Sequence, residues 1–257
     1  MKEPFARMGA LTDSLRDLSH RIARRIPFRN VSGSLRIAPV GFHGDRYLIE
    51  LTDLALSGAT HFIETGTNVG STLRHAAERH KRVQCFSCEP DAKVCEIART
   101  HTRALDNVRL LQTDSITFLN ELAQIPGLFS GNPVFWLDAH GFGFEWPLRE
   151  EVRFVTGNFE RGRMWIDDFK VPGMPMFGYD RYCGQECGME TIHDCLDQRH
   201  TYRITYPDYT ERSSAHHPLR GWVLFEFGEL APLAIPEGLR KNLRRETFNT
   251  ETSAARP

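Results

Sequence analysis

The sequence predicts an α/β fold whose core is a doubly wound, seven-stranded sheet, mostly parallel with an antiparallel last strand. Short apolar runs alternate with amphipathic segments of helical length along the middle of the chain, which is typical of parallel strands joined by helices. The last two apolar runs lie too close together for such a helix, so they are expected to pair antiparallel. With 257 residues the chain can bury one large core.

Each predicted element corresponds to a local pattern of apolar residues. The parallel strands are predicted near residues 60–65, 82–88, 108–113, 133–138 and 163–167, and the antiparallel pair at Tyr202–Tyr206 and Gly221–Phe227. The helices that follow the first four strands are predicted near residues 70–80, 91–104, 115–123 and 148–158. A further helix precedes the first strand, with apolar residues at helical spacing: Tyr47, Leu48, Leu51 and Leu54.

Three regions are predicted along the chain. Residues 1–58 form a helical extension, in which a basic amphipathic helix is expected between Leu11 and Phe28. Residues 59–230 form the α/β domain, and residues 231–257 form a Pro-rich and then polar tail that is expected to be partly disordered. The amphipathic helix is expected to pack either on its own domain or on a second copy of the chain, and in the second case the chain forms a homo-oligomer through this helix.

Composition narrows the classes of partner. The chain has 32 basic and 33 acidic residues, so its net charge of -1 gives no electrostatic case for nucleic acid. No run reaches the roughly 18 apolar residues needed to span a bilayer. Six cysteines without an apolar signal segment indicate a reduced compartment, and a cytoplasmic location is expected. A small-molecule substrate is the predicted partner.

The turn after the first strand has the sequence Glu64-Thr-Gly-Thr-Asn-Val-Gly70. Its glycines allow a sharp bend and a close approach of the backbone to a ligand, and the first N–H groups of the next helix face the same space. The turn is neither G-x-G-x-x-G nor a loop ending in Gly-Lys-Ser/Thr, the patterns that bind phosphate. Glu64 would repel a pyrophosphate but suits a ligand with an ammonium group and ribose hydroxyls, such as S-adenosylmethionine.

Acidic residues also follow the next two predicted strands. Glu89 ends the second strand, where a carboxylate is placed to accept hydrogen bonds from both hydroxyls of a ribose. Asp114 follows the third strand, where a carboxylate can accept a hydrogen bond from an adenine amino group. The predicted cofactor-binding residues are Glu64, Gly66, Thr67, Asn68, Gly70, Ser71, Glu89, Asp114, Ser115 and Asp138.

A second acidic group follows the fourth and fifth strands. Asp138 and His140 come after the fourth strand, and Asp167 and Asp168 come at the end of the fifth. Carboxylates that converge at one sheet edge repel one another unless they are protonated, hydrogen-bonded or joined by a cation. All-oxygen ligation suits magnesium or manganese, so Asp138, Asp167 and Asp168 are predicted metal ligands. Alternatively, Asp167 caps a turn and Asp168 pairs with a nearby base.

Over roughly residues 59–229 the chain resembles the class I S-adenosylmethionine-dependent methyltransferases. Glu64–Gly70 resembles their first motif, with Asn68 where glycine is commoner, and Glu89 resembles their second-strand acid. The acids after the fourth and fifth strands resemble those of the metal-dependent sugar O-methyltransferases related to macrocin O-methyltransferase, although Asp138-Ala-His140 stands where Asp-Gly-Asp is usual. The resemblance implies a Rossmann-like fold, S-adenosylmethionine and Mg²⁺ as cofactors, and Asp138 as general base, with His140 as the alternative base.

The predicted function is methyl transfer from S-adenosylmethionine to an oxygen of a small hydroxylated acceptor, sugar-like or a natural product, with divalent metal assistance. Three alternatives stay open: a nicotinamide-dependent oxidoreductase, against which Glu64 argues; an iron-dependent hydroxylase resembling the cephalosporin hydroxylases; and a non-catalytic scaffold. Val171–Tyr182, rich in Gly, Pro and aromatic residues, is expected to form an ordered loop over the acidic edge.

Overall fold

The structure is a computed structural model that describes residues 41–139, 146–182, 184–211, 213 and 218–249. The amphipathic helix predicted between Leu11 and Phe28 lies outside the described residues, and so does His140. The boundaries predicted for the N-terminal extension and the α/β domain stay predictions.

Eight strands form one sheet within the described residues, in the order β10-β8-β9-β5-β4-β1-β2-β3. Their bounds are β1 His61–Thr65, β2 Gln84–Cys88, β3 Val108–Leu111, β4 Pro133–Leu137, β5 Gly162–Asp167, β8 Thr201–Pro207, β9 Trp222–Phe227 and β10 Leu243–Asn249. A separate two-stranded hairpin consists of β6 Arg181–Tyr182 and β7 Gln185–Glu186.

The helices connect these strands. They are α1 Arg46–Leu56, α2 Ser71–Arg79, α3 Ala92–Thr102, α4 Ser115–Leu122, α5 Leu148–Asn158, α6 Met189–Ile192 and α7 Glu237–Arg240. Strands β1 to β5 are parallel, and β9 pairs antiparallel with both β5 and β8. The α/β fold class, the parallel sheet and the antiparallel pair are therefore confirmed. No described helix is both long enough and apolar enough to cross a membrane.

The strand count differs from the predicted seven because β10 adds an eighth strand at the sheet edge. It pairs antiparallel with β8 over seven residues, from Leu243 opposite Pro207 to Asn249 opposite Thr201. Residues 243–249 of the tail, which was expected to be partly disordered, therefore form a strand. Polar and charged residues make up most of this strand, which is usual at an exposed sheet edge and removes the apolar pattern that would have predicted it.

The core lies at the centre of the sheet, and every residue of β4, β5 and β9 is buried. Each of these strands contributes a tryptophan less than 2 % exposed: Trp136, Trp165 and Trp222. Strands covered on both faces are mostly apolar, which is why these runs were clear in the sequence. The order of strands reverses between β1 and β4, so their carboxyl ends open onto the crevice where sheets of this kind bind ligands.

Candidate active site

The glycine turn after β1 packs directly against the chain that leaves β4. Gly66 has φ +82°, and a Cβ atom there would lie 2.3 Å from the carbonyl oxygen of Asp138. The backbone N–H groups of Gly66 and Thr67 both donate to the carbonyl of Cys88, at 3.2 and 2.9 Å. Only glycine fits this conformation and this approach. The turn is therefore fixed against both β2 and the residue predicted to be the general base.

Asn68 occupies the middle of the turn with φ +50°. This is the left-handed region that glycine enters freely and that asparagine tolerates better than most residues, which explains how Asn68 replaces the commoner glycine. Its backbone N–H donates to Oε2 of Glu89 at 2.9 Å. The middle of the turn and the acid after β2 are thus joined by a charge-assisted hydrogen bond.

Glu89 lies at the turn and is only 4 % exposed. Its Oε1 accepts a hydrogen bond from the backbone N–H of Asp91 at 3.0 Å, while Oε2 accepts the one from Asn68. These two backbone N–H groups hold the carboxylate of Glu89 in one orientation. A carboxylate that recognises the hydroxyls of a ribose needs such a fixed orientation.

Glu64 lies beneath the turn and is 1 % exposed. It accepts a hydrogen bond from the hydroxyl of Ser87, which is also bonded to the hydroxyl of Thr67. Burial, helped by the charges of Asp138 and Glu89, raises the pKa of Glu64 to about 8 against the opposing effect of the Ser87 bond. A positively charged ligand nearby would favour the ionised form.

The other predicted cofactor residues lie at helix starts. Gly70, with φ +85°, precedes α2, and a Cβ atom there would lie 3.2 Å from that of Ala98. Ser71 begins α2, and its buried hydroxyl oxygen has no hydrogen-bond partner among the described residues. Ser115 begins α4 and is 5 % exposed.

Asp114 has a structural role in the described chain. It caps α4, and its carboxylate accepts hydrogen bonds from the N–H and hydroxyl of Thr117 at 2.9 and 2.7 Å. Partial burial alone would raise the pKa of Asp114, but the hydrogen bonds from Thr117 outweigh it and lower the pKa. The predicted contact of Asp114 with adenine stays a prediction.

At the acidic edge, the buried carboxylate of Asp167 contacts a histidine. Nε2 of His43 lies 2.9 Å from Oδ1 and 2.7 Å from Oδ2 of Asp167. Burial alone would lower the pKa of His43, but the charge of Asp167 and the hydrogen bond to it outweigh this and, with Asp168 and Asp138, raise the pKa to about 9. Sequence reasoning missed His43, because 124 positions separate it from Asp167 and no local pattern marks it.

A second cation faces the other aspartate of the pair. Nη1 of Arg220 lies 3.2 Å from Oδ1 of Asp168 and 3.7 Å from Oδ1 of Asp180. The hydroxyl of Tyr182 donates to Oδ2 of Asp180 at 3.0 Å. Asp180 and Tyr182 belong to Val171–Tyr182, the loop predicted to lie over the acidic edge. This loop is ordered around these contacts, and Asp180 adds a negative charge to the site. A β-bridge between Gly178 and Arg220 holds the loop.

Unusual backbone conformations concentrate in this region. Four described residues other than glycine have positive φ: Phe42, His43, Asn68 and Asp168. Asn68 lies in the glycine turn. Phe42, His43 and Asp168 lie at the acidic edge, where His43 and Asp168 carry side chains of the site. Such conformations cost about 1–3 kcal/mol each and cluster at functional sites. The crevice at the ends of β1, β2, β4 and β5 is therefore the candidate active site.

Comparison with known proteins agrees with this geometry at the level of the fold. Neither a protein-family model nor a curated protein sequence matches the chain. Among solved structures, an O-methyltransferase from Bacillus cereus in complex with SAH is similar, with a TM-score of 0.53, 14% identity, and coverage of 82% of this chain and 88% of that one. The fold is that of the O-methyltransferases.

Two further structures with the methyltransferase fold give the same result. The O-methyltransferase TomG from Streptomyces achromogenes, involved in tomaymycin synthesis and solved with SAM, has a TM-score of 0.53 and 15% identity over 84% of this chain and 88% of that one. A putative O-methyltransferase from Klebsiella pneumoniae has a TM-score of 0.52 and 16% identity over 83% and 88%. At these identities the comparison establishes the fold.

Within this methyltransferase fold, the described residues contain one group of three potential metal ligands. Donor atoms of His43, Asp167 and Asp168 all lie within 4.8 Å of one another. Asp138 is not in this group, although it lines a small cavity together with Asp167 and Asp180. The structure therefore brings two of the three predicted metal ligands together and adds a histidine to them.

Replacing Glu64 by glutamine is expected to change how stability depends on pH. Because the folded-state pKa lies above the ordinary value of 4.5, the contribution of Glu64 is full below that pH and is lost as the pH rises toward about 8. Glutamine at position 64 cannot ionise, so only the wild type loses this contribution. Relative to the wild type, the free energy of unfolding of the Glu64→Gln variant should therefore increase by roughly 2 kcal/mol between pH 6 and pH 8. Urea unfolding at both pH values measures this difference, and a pH-independent difference would contradict the buried acid.

Proposed function

We propose that this protein transfers a methyl group from S-adenosylmethionine to an oxygen of a small hydroxylated acceptor. The observation that carries the proposal is that the glycine turn contacts both Glu89 and Asp138 where the strand order reverses, between β1 and β4. The N–H of Asn68 in the glycine turn is bonded to Glu89, and Gly66 packs on Asp138. A cofactor held by the turn and by Glu89 thus lies beside a carboxylate that can accept a proton from an acceptor hydroxyl.

The cofactor end is suited to a cation with a ribose. Glu89 is proposed to bind the ribose hydroxyls through its carboxylate, which the N–H groups of Asn68 and Asp91 orient. Glu64 favours a positively charged ligand over a pyrophosphate, because a cation would stabilise the ionised form of this buried carboxyl, whereas an anion would oppose its ionisation. The hydroxyl of Ser71, which has no hydrogen-bond partner among the described residues, offers a polar contact at the helix start. Gly66, Thr67, Asn68 and Gly70 form the turn, with Asp114 and Ser115 proposed at the adenine.

The acceptor end supplies the base. In methyl transfer, a lone pair of the acceptor oxygen forms a bond to the methyl carbon while the carbon–sulfur bond breaks and S-adenosylhomocysteine leaves. The proton of the acceptor hydroxyl goes to Asp138 in this proposal, because the backbone of Asp138 packs on the cofactor turn at Gly66 and Asp138 lines the small cavity that Asp167 and Asp180 also line. His140 is the alternative base and lies outside the described residues.

Magnesium, the metal that the resemblance implies, does not fit the described donor set. Both oxygens of Asp167 lie against Nε2 of His43, and Oδ1 of Asp168 lies against Arg220. Magnesium prefers oxygen ligands and keeps several waters, whereas this group includes an imidazole nitrogen. The repulsion between the carboxylates, which predicted a cation, is already reduced by two cationic side chains. No step of the proposed transfer is assigned to magnesium.

A direct assay tests the proposed function. The purified protein is incubated with S-adenosylmethionine that carries a radiolabelled methyl group and with a panel of sugars, glycosides and phenols. We expect label to pass to at least one acceptor, with an equal amount of S-adenosylhomocysteine formed. Transfer to no acceptor, together with binding of NADH rather than S-adenosylhomocysteine, would instead indicate the oxidoreductase.

Two further outcomes separate the remaining alternatives. Binding of S-adenosylhomocysteine without transfer to any acceptor would indicate the scaffold. Oxygen consumption that depends on Fe²⁺, without label transfer, would indicate the hydroxylase. The cytoplasmic location and the homo-oligomer formed through the N-terminal helix stay predictions.

A further inference from the structure

We infer that His101, on α3, is a positioning residue for the glycine turn Glu64–Gly70. Its imidazole ring fixes the backbone of this turn through the carbonyl group of Val69. The inference rests on the proposed function, because it concerns how the turn is held ready for S-adenosylmethionine. It adds a residue of α3 that lies outside the motif of the turn itself.

The contact is a hydrogen bond between a side chain and the backbone. Nδ1 of His101 lies 2.8 Å from the carbonyl oxygen of Val69, and 32 positions separate the two residues. A carbonyl oxygen only accepts hydrogen bonds, so Nδ1 carries a proton and donates. Both residues are half-buried, so water competes less for this carbonyl than it would at an open surface.

The bond from His101 fixes a peptide group whose other end is also bonded. The carbonyl of Val69 and the N–H of Gly70 belong to one planar peptide group, and this N–H donates to the carbonyl of Thr67 at 2.9 Å. The carbonyl of Val69 itself has no backbone hydrogen-bond partner among the described residues. Without His101, the peptide group would therefore be held at one end only.

Helix α3 and the segment that leads into it contact three consecutive residues of the turn. Oε2 of Glu89 accepts the N–H of Asn68 at 2.9 Å, and a Cβ atom at Gly70 would lie 3.2 Å from that of Ala98. His101 holds the residue between these two. Ala98 and His101 are three positions apart, so they share one face of α3. The proposed ribose-binding acid and the positioning histidine thus hold neighbouring parts of one turn.

A turn that is already fixed in its bound conformation binds a ligand more tightly than a mobile one. Ordering a loop during binding costs free energy, and a contact that orders the loop beforehand removes this cost. Loss of His101 should therefore weaken cofactor binding about fivefold, the equivalent of one neutral hydrogen bond, although no contact with the cofactor is removed.

A competing explanation gives His101 a role in α3 alone. A basic side chain in the last turn of a helix interacts favourably with the helix dipole, and His101 lies in the last turn of α3. In that case its loss would destabilise α3 and would leave the conformation of the glycine turn and its ligand affinity unchanged. The two explanations therefore differ in what they predict for the turn.

Hydrogen exchange and calorimetry on the full chain separate the two explanations. In His101→Ala, the backbone amides of residues 66–71 should exchange about fivefold faster in the absence of ligand, and S-adenosylhomocysteine should bind about fivefold more weakly. Asparagine places an amide N–H where Nδ1 of histidine lies, so His101→Asn should largely restore both values. Unchanged exchange at the turn or unchanged affinity in a folded His101→Ala variant would overturn the inference, as would a His101→Asn variant that behaves like His101→Ala.

The matched control is His200→Ala. His200 is also half-buried and also contacts a backbone carbonyl, that of Thr156 in α5, at 3.1 Å. Its replacement removes the same kind of bond at another place in the fold. It should change neither the exchange of residues 66–71 nor the affinity for S-adenosylhomocysteine, and an effect as large as that of His101→Ala would overturn the inference.

NMR of the wild type decides the inference even if His101→Ala does not fold. The neutral ring of a free histidine carries its proton mainly on Nε2, whereas the bond to Val69 requires the proton on Nδ1. Spectra of the ¹⁵N-labelled neutral ring should show a protonated Nδ1, and a bare Nδ1 would overturn the inference. No binding of S-adenosylhomocysteine by the wild type would overturn the proposed function, and the exchange rates and ring spectra would then decide separately whether His101 fixes the turn.

Discussion

Replacing Asp138 by asparagine is expected to lower kcat of methyl transfer by about 10²–10⁴-fold, the usual contribution of a general base. Asparagine keeps the size of the side chain but cannot take a proton from the acceptor hydroxyl. The backbone contact between Asp138 and Gly66 does not involve the carboxylate, so the turn should keep its conformation. Binding of S-adenosylhomocysteine should weaken by no more than about tenfold, the equivalent of one hydrogen bond.

Asp106→Asn is the control for this experiment, because Asp106 is an exposed residue in the turn before β3. It should leave kcat unchanged. Full activity in the Asp138→Asn variant would contradict the role given to Asp138 and would transfer it to His140. A parallel loss of kcat and of cofactor affinity would show that Asp138 acts on the cofactor alone.

Replacing Glu226 by alanine is expected to lower the free energy of unfolding by about 3–5 kcal/mol. Glu226 is 1 % exposed in β9, and its carboxylate lies 3.1 Å from Arg163, 3.7 Å from Arg203 and 3.4 Å from Arg245. These arginines come from β5, β8 and β10. Removing the carboxylate leaves positive charges close together with no anion between them, and Arg163 is itself buried.

Urea unfolding of the Glu226→Ala variant measures this loss, with Glu78→Ala as the matched control. Glu78 also contacts an arginine, Arg74, but both side chains are exposed, so its removal should cost less than about 0.5 kcal/mol. A similar small loss in both variants would contradict the view that Glu226 joins the antiparallel strands to the parallel part of the sheet.

The sequence predicted those parts of the structure that depend on local patterns. A buried strand such as β4 is continuously apolar, and the turn at Gly66 needs a residue without Cβ, so both were visible in the chain. Glu89 was predicted at the glycine turn because a parallel sheet brings the ends of its neighbouring strands together, and its bond to Asn68 agrees with that placement.

The sequence did not predict features that depend on contacts between distant segments. β10 has a mostly polar sequence and is joined to β8 by backbone pairing, with Arg245 directed at the buried Glu226. His43 and Arg220 approach the aspartates after β5 from far along the chain. Single residues of these types have no periodicity that would mark them. The sequence alone therefore could not show that His43 and Arg220 are the cationic side chains beside the aspartates.

Asp114 illustrates a different limit. An aspartate after a strand and before a helix is placed equally well to bind a ligand and to cap the helix, and the sequence pattern is the same for both. The structure gives its carboxylate two hydrogen bonds from Thr117. Glu89 differs, because it is bonded to the glycine turn rather than to its own helix alone.

The central claim, that Glu89 and the glycine turn hold S-adenosylmethionine, is tested most directly by calorimetry with S-adenosylhomocysteine. We predict binding to the wild type, about 10–100-fold weaker binding to Glu89→Ala from the loss of charge-assisted hydrogen bonds, and unchanged binding to Glu96→Ala, whose carboxylate is exposed on α3. NADH should not bind. Absence of S-adenosylhomocysteine binding to the folded wild type, or equal affinity in the Glu89→Ala variant, would contradict the claim.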